Sequence, residues 1–323
     1  MQDVKGEIMT VVQQARRPWR LTWHRRRTVE GYLFTLPWII GIFAFLLYPM
    51  GYATYISFTD WRVTGISPWV GLGNYKRLLF NDPLFVHSLK LTTVYTVISV
   101  PLQLLVGFLM AYFLNQKIAG VGVFRTIYYM PSILSGPAIA TVWGWLFNTE
   151  FGIVNHILGV LGVPNSNIPW LTSREWIFWF YIIMSLWTVG NTVVLYLAGL
   201  QGIPTEYYEA ADVDGANRFH KLIYVTLPQM SPVIFYNLLT TVVASFQVFT
   251  VAYVVSRRTG GPANGSLFYY LYMYRVGFDS GYLGYASAMA WILFIILVII
   301  SAVLFRASGS LIYYEAQRGE GGA

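Results

Sequence analysis

Six stretches of this chain carry no Asp, Glu, Lys or Arg: Gly31–Thr59, Leu91–Gln116, Thr126–Thr149, Trp176–Thr205, Leu222–Ser256 and Ser280–Phe305. Each is longer than the roughly 20 mainly apolar residues a helix needs to cross a bilayer core. Lipid cannot satisfy the backbone of an open strand, so a chain patterned this way crosses as helices. Transmembrane strands would be about ten residues long and would alternate polar with apolar side chains, which these runs do not. The pattern predicts an all-α integral membrane protein whose six spans occupy residues 31–306, with a basic segment at 1–30 and a short tail at 307–323. Pro37, Pro101 and Pro137 fall inside the windows and predict kinks or helix starts.

Composition points the same way. Of 323 residues, 56% are hydrophobic and 11% are charged, against roughly a quarter charged in soluble domains. The mean hydropathy is +0.53. Aromatics at 18% suit rings at two membrane interfaces. There is no cysteine, hence no disulfide framework or thiolate metal site. The net charge of +7 is drawn largely from Lys5, Arg16, Arg17, Arg20, Arg25, Arg26 and Arg27. A basic segment ahead of an apolar run determines topology, and no aromatic–basic platform for nucleic acid accompanies it. The first run exceeds the roughly 7–15 apolar residues of a cleaved signal and passes through Pro49 and Tyr52 without a small-residue cleavage site. It reads as a retained span. With the amino end cytoplasmic, the inner segments hold 13 of the 21 Lys and Arg and the outer ones 8, so both termini are expected inside.

The outer segments Asp60–Lys90, Glu150–Glu175 and Arg257–Asp279 contain Asn81-Asp82-Pro83, Gly162-Val163-Pro164-Asn165 and Gly260-Gly261-Pro262. These are turn signals around short interfacial helices.

Only 14 residues are acidic, and Glu206, Glu209, Asp212 and Asp214 fall together in the loop between the fourth and fifth windows. Pro204 can open a helix there, Glu206 suits its positive amino end, and Gly215 can close it. A helix of about ten residues is unstable alone in water, so it needs a docking surface. Ala210 and Ala211 remove bulk where a partner could approach, while Tyr207, Tyr208 and Val213 offer apolar contact. A second short segment would place Phe219, Leu222 and Ile223 on one face, with Leu227-Pro228 ending it. Spacing alone leaves open the plainer reading of a solvated acidic loop.

The string Glu209-Ala210-Ala211, then Gly215, then Val225-x-Leu227-Pro228 resembles the EAA loop of binding-protein-dependent ABC importer permeases. That pattern is EAA, three residues, Gly, nine residues, Ile, one residue, Leu-Pro; this chain departs from it only by Val225. Gly199-Leu200-Gln201-x-Ile203-Pro204, Gly71-Leu72-x-Asn74-Tyr75 with Asp82-Pro83, and Gly260-Gly261-Pro262 resemble the carbohydrate-uptake branch. The likeness runs from about Tyr32 to Phe305 and is greatest to the maltose-permease-like member of a heterodimer. It implies a type I importer permease fold in a prokaryotic cytoplasmic membrane. The loop at about 204–228 would be a coupling helix seated in a cleft of a cytoplasmic ATPase. Glu206, Glu209, Ala210, Ala211, Asp214, Gly215, Leu227 and Pro228 would form the coupling contact, with Glu209 pairing a basic residue of the ATPase. The implied partners are a second permease subunit, two ABC ATPase subunits, an extracytoplasmic solute-binding protein, a sugar and membrane lipid.

The chain contains no Gly-Lys dipeptide and hence no P-loop. ATP and Mg would therefore be used by the partner ATPase, with no cofactor on this chain. His24, His87, His156 and His220 are isolated, without metal-ligand spacing, so a non-catalytic transport subunit is expected.

A sugar offers hydroxyls to bond and ring faces to stack on, so its path wants amides and hydroxyls beside aromatics. Asn191 follows Trp187, Ser245 and Gln247 flank Phe246, and Ser132 and Ser135 lie near Pro131. By the resemblance, Asn191, Ser245, Val248, Ser132 and Gly136 fall at positions that line the sugar site of the maltose permease. Val248 and Gly136 bond poorly, so the site here differs in detail. The plainer role for each polar residue is a helix–helix hydrogen bond. Windows without ionisable residues favour a neutral cargo and an external energy source over an ion- or proton-coupled secondary transporter. A permease for glycerol 3-phosphate or a related phosphodiester is the alternative within the family, and would want a mid-span arginine that is absent.

Overall fold

The computed structural model describes residues 23–62, 65, 67–116 and 120–308. The basic run from Lys5 to Arg20 and the tail beyond Ser308 lie outside the described residues. The chain falls into two compact units, residues 1–55 and 56–323.

In the first unit, α1 (Trp23–Ile42) passes through a wide turn at Phe43–Leu47 into α2 (Tyr48–Ser57), whose last residues belong to the second unit. The turn is wide because the Tyr48 N–H bonds to the Phe43 carbonyl, five residues back. Pro37 sits inside α1 without ending it. Phe34, Trp38 and Phe45 are exposed, as on a helix that is apolar all round and must be covered by lipid or protein.

The second unit is built around α4 (Pro83–Leu114), which packs against α8 (Arg174–Trp187), α9 (Gly190–Gln201), α12 (Leu227–Phe246) and α14 (Tyr269–Tyr274). α3 (Gly73–Asn81) precedes it, and α15 (Leu283–Ser308) packs against α3, α12 and α14. Asp82 starts α4 by accepting from the N–H groups of Leu84 and Phe85, both at 3.0 Å, with Pro83 in the first turn where no N–H is needed. The helix therefore begins eight residues before its charge-free window and carries His87 and Lys90 in its opening turns. At 32 residues it is about 48 Å long, more than a hydrocarbon core requires.

Among the described residues, four runs are long and apolar enough to cross a membrane: Arg27–Ser57, Pro83–Leu114, Arg218–Val255 and Leu283–Ser308. A fifth is the pair α8 and α9, bent by 40° at Thr188–Val189. The third window is served by two shorter helices, α5 (Val121–Ile133) and α6 (Gly136–Leu146), parted at the extended residues Leu134 and Ser135. Pro137 explains the parting. It has no N–H for the carbonyl of residue 133, and its ring excludes that carbonyl from a continuing helix.

On the far side of this window, α7 (Ile153–Val160) is the short helix expected between the third and fourth spans, ended by Gly162 at φ 74°. The run Arg218–Val255 corrects an expectation. Leu227-Pro228 does not end the preceding segment. α11 (Arg218–Lys221) continues through a wide turn, Leu222–Thr226, into α12 and, after a break at Gln247–Phe249, into α13 (Thr250–Val255). The Leu227 N–H reaches back five residues to the Leu222 carbonyl. That widening gives the Pro228 ring room in a helix it would otherwise interrupt.

Candidate functional site

Two places in the second unit carry the predicted chemistry. The first is α10 (Thr205–Val213), between α9 and α11. Pro204 is extended and sits just before the helix, with Glu206 in its first turn against the positive end of the helix dipole. The carboxyl end closes tightly. The Gly215 N–H bonds to the Asp212 carbonyl at 3.0 Å and the Ala216 N–H to that of Ala211 at 2.9 Å, while Gly215 takes φ +75°. This is the paired-bond stop that needs a left-handed residue, and glycine occupies it without a Cβ penalty.

No side chain of α10 is buried. Glu206, Glu209, Ala210 and Asp214 face outward, Val213 is 89% exposed, and Phe219 on α11 is 65% exposed. Asp212 pairs with Lys221, a partly exposed contact of small energetic weight.

Tyr208 departs from the expected role. It turns inward against the cluster of Phe108, Leu114, Tyr196, Leu200 and Met230, and its hydroxyl lies 3.1 Å from Thr226 Oγ1. Thr226 donates its own proton to the Lys221 carbonyl at 3.2 Å, so Tyr208 is the donor between the two. Tyr208 thus tethers the helix to the wide turn that leads into Leu227 and Pro228. A hydroxyl just before Leu-Pro was the available sequence signal for Thr226.

The second place is where broken helices meet. A Cβ on Gly136, at the start of α6, would lie 3.1 Å from Thr250 Cγ2 at the start of α13. One on Gly190, at the start of α9, would lie 3.0 Å from the Tyr128 carbonyl and 3.4 Å from Ser132 Cβ on α5. Three interrupted helices therefore share one neighbourhood. Their loose backbone ends are tolerated at membrane depth only inside protein or beside a water-filled cavity.

Asn191, Gln247 and Trp187 are exposed there, and Ser132 and Val248 are half-buried. Trp187 packs on Trp143 with ring centroids 5.7 Å apart. Ser132 donates to the Tyr129 carbonyl of its own helix at 2.7 Å. Ser245 is different: it is buried and 2.8 Å from Thr96 Oγ1 on α4, a bond between helices. Gly136 thus joins Ser132 and Asn191 at the breaks, while Ser245 faces the bundle interior. Thr96 was not singled out from the sequence, because a hydroxyl inside an apolar span gives no sign of which helix it will face.

Comparisons bear on both places. Residues 103–311 match the family model described as "Binding-protein-dependent transport system inner membrane component". The chain is 37% identical over 294 residues to the probable ABC transporter permease protein YesP of Bacillus subtilis (strain 168), covering 91% of this chain and 94% of that one. It is 32% identical over 283 residues to the lactose transport system permease protein LacF of Rhizobium radiobacter, covering 87% and 94%. Its fold matches a chain of a bacterial ABC transporter involved in the import of the acidic polysaccharide alginate, with a TM-score of 0.79 at 24% identity, over 91% of this chain and all of that one. An acidic helix set on an apolar bundle, and a match over most of both chains, make this protein a member of the binding-protein-dependent transport system inner membrane component family.

Proposed function

We propose that this chain is one permease subunit of an ATP-driven importer that moves a sugar or oligosaccharide across a prokaryotic cytoplasmic membrane. The observation that carries the reading is α10: a capped, acidic helix with no buried side chain, tethered by Tyr208, whose exposed face includes Val213 and Glu209. Such a helix is marginal alone and is complete only against another protein. In the proposed assembly that protein is one of two ATPase subunits, whose closure on ATP tilts the spans between inward-open and outward-open states. A second permease subunit completes the pathway, and an extracytoplasmic binding protein delivers the cargo, as the family's description supports.

Six spans, with both termini cytoplasmic, fit this reading when the pair α5 and α6 counts as one broken crossing. The cargo path runs past the helix breaks, where Ser132, Asn191 and Gln247 would bond hydroxyls and Trp187 would offer a ring face. Ser245 and Val248 border it from α12 and the break beyond. A sugar is supported by the lactose system's name and by the absence of charge from residues 126–149 and 176–205.

Two experiments test this. Glu209→Lys should leave membrane insertion intact while uptake falls at least tenfold and ATP hydrolysis by the assembled complex no longer responds to loaded binding protein. Normal coupled uptake by that variant would remove α10 from the mechanism. Screening the cognate binding protein against a panel of sugars should return one mono- or oligosaccharide ligand; a phosphodiester ligand instead would overturn the sugar assignment alone.

A further inference from the structure

At the end of the bundle opposite α10, a groove of about 440 Å³ lies between the opening turns of α4 and α8. α4 lines it with His87, Lys90, Leu91 and Val94, and α8 with Arg174, Glu175, Phe178 and Trp179. Both sets fall on one helix face. Along both helices charge gives way to apolar surface in the same direction, within about 6 Å of axial rise.

The floor is fixed. His87 Nε2 donates to the Asn264 carbonyl at 2.9 Å. At the adjacent Gly265 a Cβ would lie 2.9 Å from Ile177 Cγ2 and 3.0 Å from the Arg174 carbonyl. Lys90 and Arg174 are exposed at the mouth, and among the described residues neither is in an ion pair. Charges at the end of a span are ordinarily just solvated. Here an open apolar trough lies directly below two of them, with Val94 40% and Trp179 46% exposed.

We propose that this groove binds one anionic glycerophospholipid from the leaflet facing away from α10. Its phosphodiester would sit against Lys90 and Arg174, and an acyl chain would lie along Leu91, Val94, Phe178 and Trp179. Glu175 limits the occupant. Lys90, Arg174 and Glu175 together give the mouth a net charge of +1, matching a singly charged headgroup such as phosphatidylglycerol and opposing a second phosphate. The site rests on the chain lying in a membrane and not on its cargo.

The full-length protein in nanodiscs of mixed phosphatidylglycerol and phosphatidylcholine tests it. Retained lipid is counted by native mass spectrometry. Trp179 is followed by fluorescence quenching from phosphatidylglycerol with brominated chains, its share taken by difference with Trp179→Phe. Phosphatidylglycerol should be retained in preference. Lys90→Gln and Arg174→Gln should each reduce that preference about fivefold, and Lys90→Arg should restore it. Val94→Trp, which fills the trough and leaves both cations, should reduce quenching by either lipid; monodisperse elution separates this from misfolding. Equal retention of the two lipids, or an unchanged preference in Lys90→Gln, overturns the proposal. So does displacement of the brominated lipid by soluble glycerol 3-phosphate, which would assign the cations to a water-soluble phosphate. None of these readouts depends on sugar transport.

Discussion

The two ends of the second unit treat their polar and apolar groups in opposite ways. At the end away from α10, the connecting segment folds into the bundle: Leu267, Phe268, Tyr269 and Leu271 are fully buried. Phe268 is edge-on to Tyr95 at 5.2 Å and to Tyr181 at 5.1 Å. Asp82 joins four helices there, capping α4 and accepting from the hydroxyls of Tyr272 at 2.7 Å and Tyr285 at 2.8 Å, while α3 precedes it directly. Burial, and then the Asp82 carboxylate, hold the Tyr272 hydroxyl above the ordinary phenol range. At the α10 end nothing on the connecting helix is buried, and acids stand beside exposed Val213 and Phe219. One end packs onto itself. The other leaves its acids and Val213 exposed, so under the proposed function damage should register as lost stability at the first and as lost coupling at the second.

The strongest way to break this contrast is Asp82→Ala. It removes two hydrogen bonds to a charged group, each worth about 1.5 kcal/mol or more, and a helix cap worth about 1 kcal/mol. An overall loss of about 4 kcal/mol is expected as a lower unfolding midpoint in detergent. Asp82→Asn should lie between, because the amide oxygen can still cap α4 but no longer carries the charge. If Asp82→Ala unfolds like wild type, this end is not the self-sufficient one.

Gly284→Ala comes next. The added Cβ would fall on the Thr59 carbonyl oxygen and lie 2.8 Å from the Trp61 backbone nitrogen. Backbone cannot step aside as a flexible side chain would, so about 1–3 kcal/mol is expected. Hydrogen exchange should speed up at residues 56–62 and 283–290 while residues 205–213 keep their rates.

How far the sequence carries each end differs for the same reason. The α10 helix was legible because its signals are local: Pro204 before it, Glu206 in its first turn, Gly215 after it. Its acids are exposed, so burial does not override these local signals. The spans were legible as windows because lipid imposes one simple demand, an apolar run of sufficient length. What escaped were features set by contacts distant in sequence. Asp82 binds Tyr272 and Tyr285 across about 200 positions, Ser245 binds Thr96, and Tyr208 turns inward to Thr226. The path through Leu227-Pro228 escaped for a local reason: proline ordinarily stops a helix, and the widened turn before it removes the clash.

Tyr208→Phe makes the smallest and sharpest test. It keeps the ring against Leu200 and Met230 and removes only the proton that Tyr208 donates to Thr226, a bond of about 0.5–1.5 kcal/mol at most in net terms. Thr226 keeps its own donation to the Lys221 carbonyl, so no buried donor is orphaned and the global unfolding midpoint should move little. The tether, however, ties the helix to the wide turn at the start of α12. Exchange of the 205–213 amides should therefore rise a few-fold in the isolated subunit and return to the wild-type rate once the ATPase is bound. A partner that completes the helix would supply what the lost hydroxyl no longer does. Accelerated exchange that persists in the assembled complex would mean that α10 relies on its own bundle for order, and the contrast between the two ends would fail.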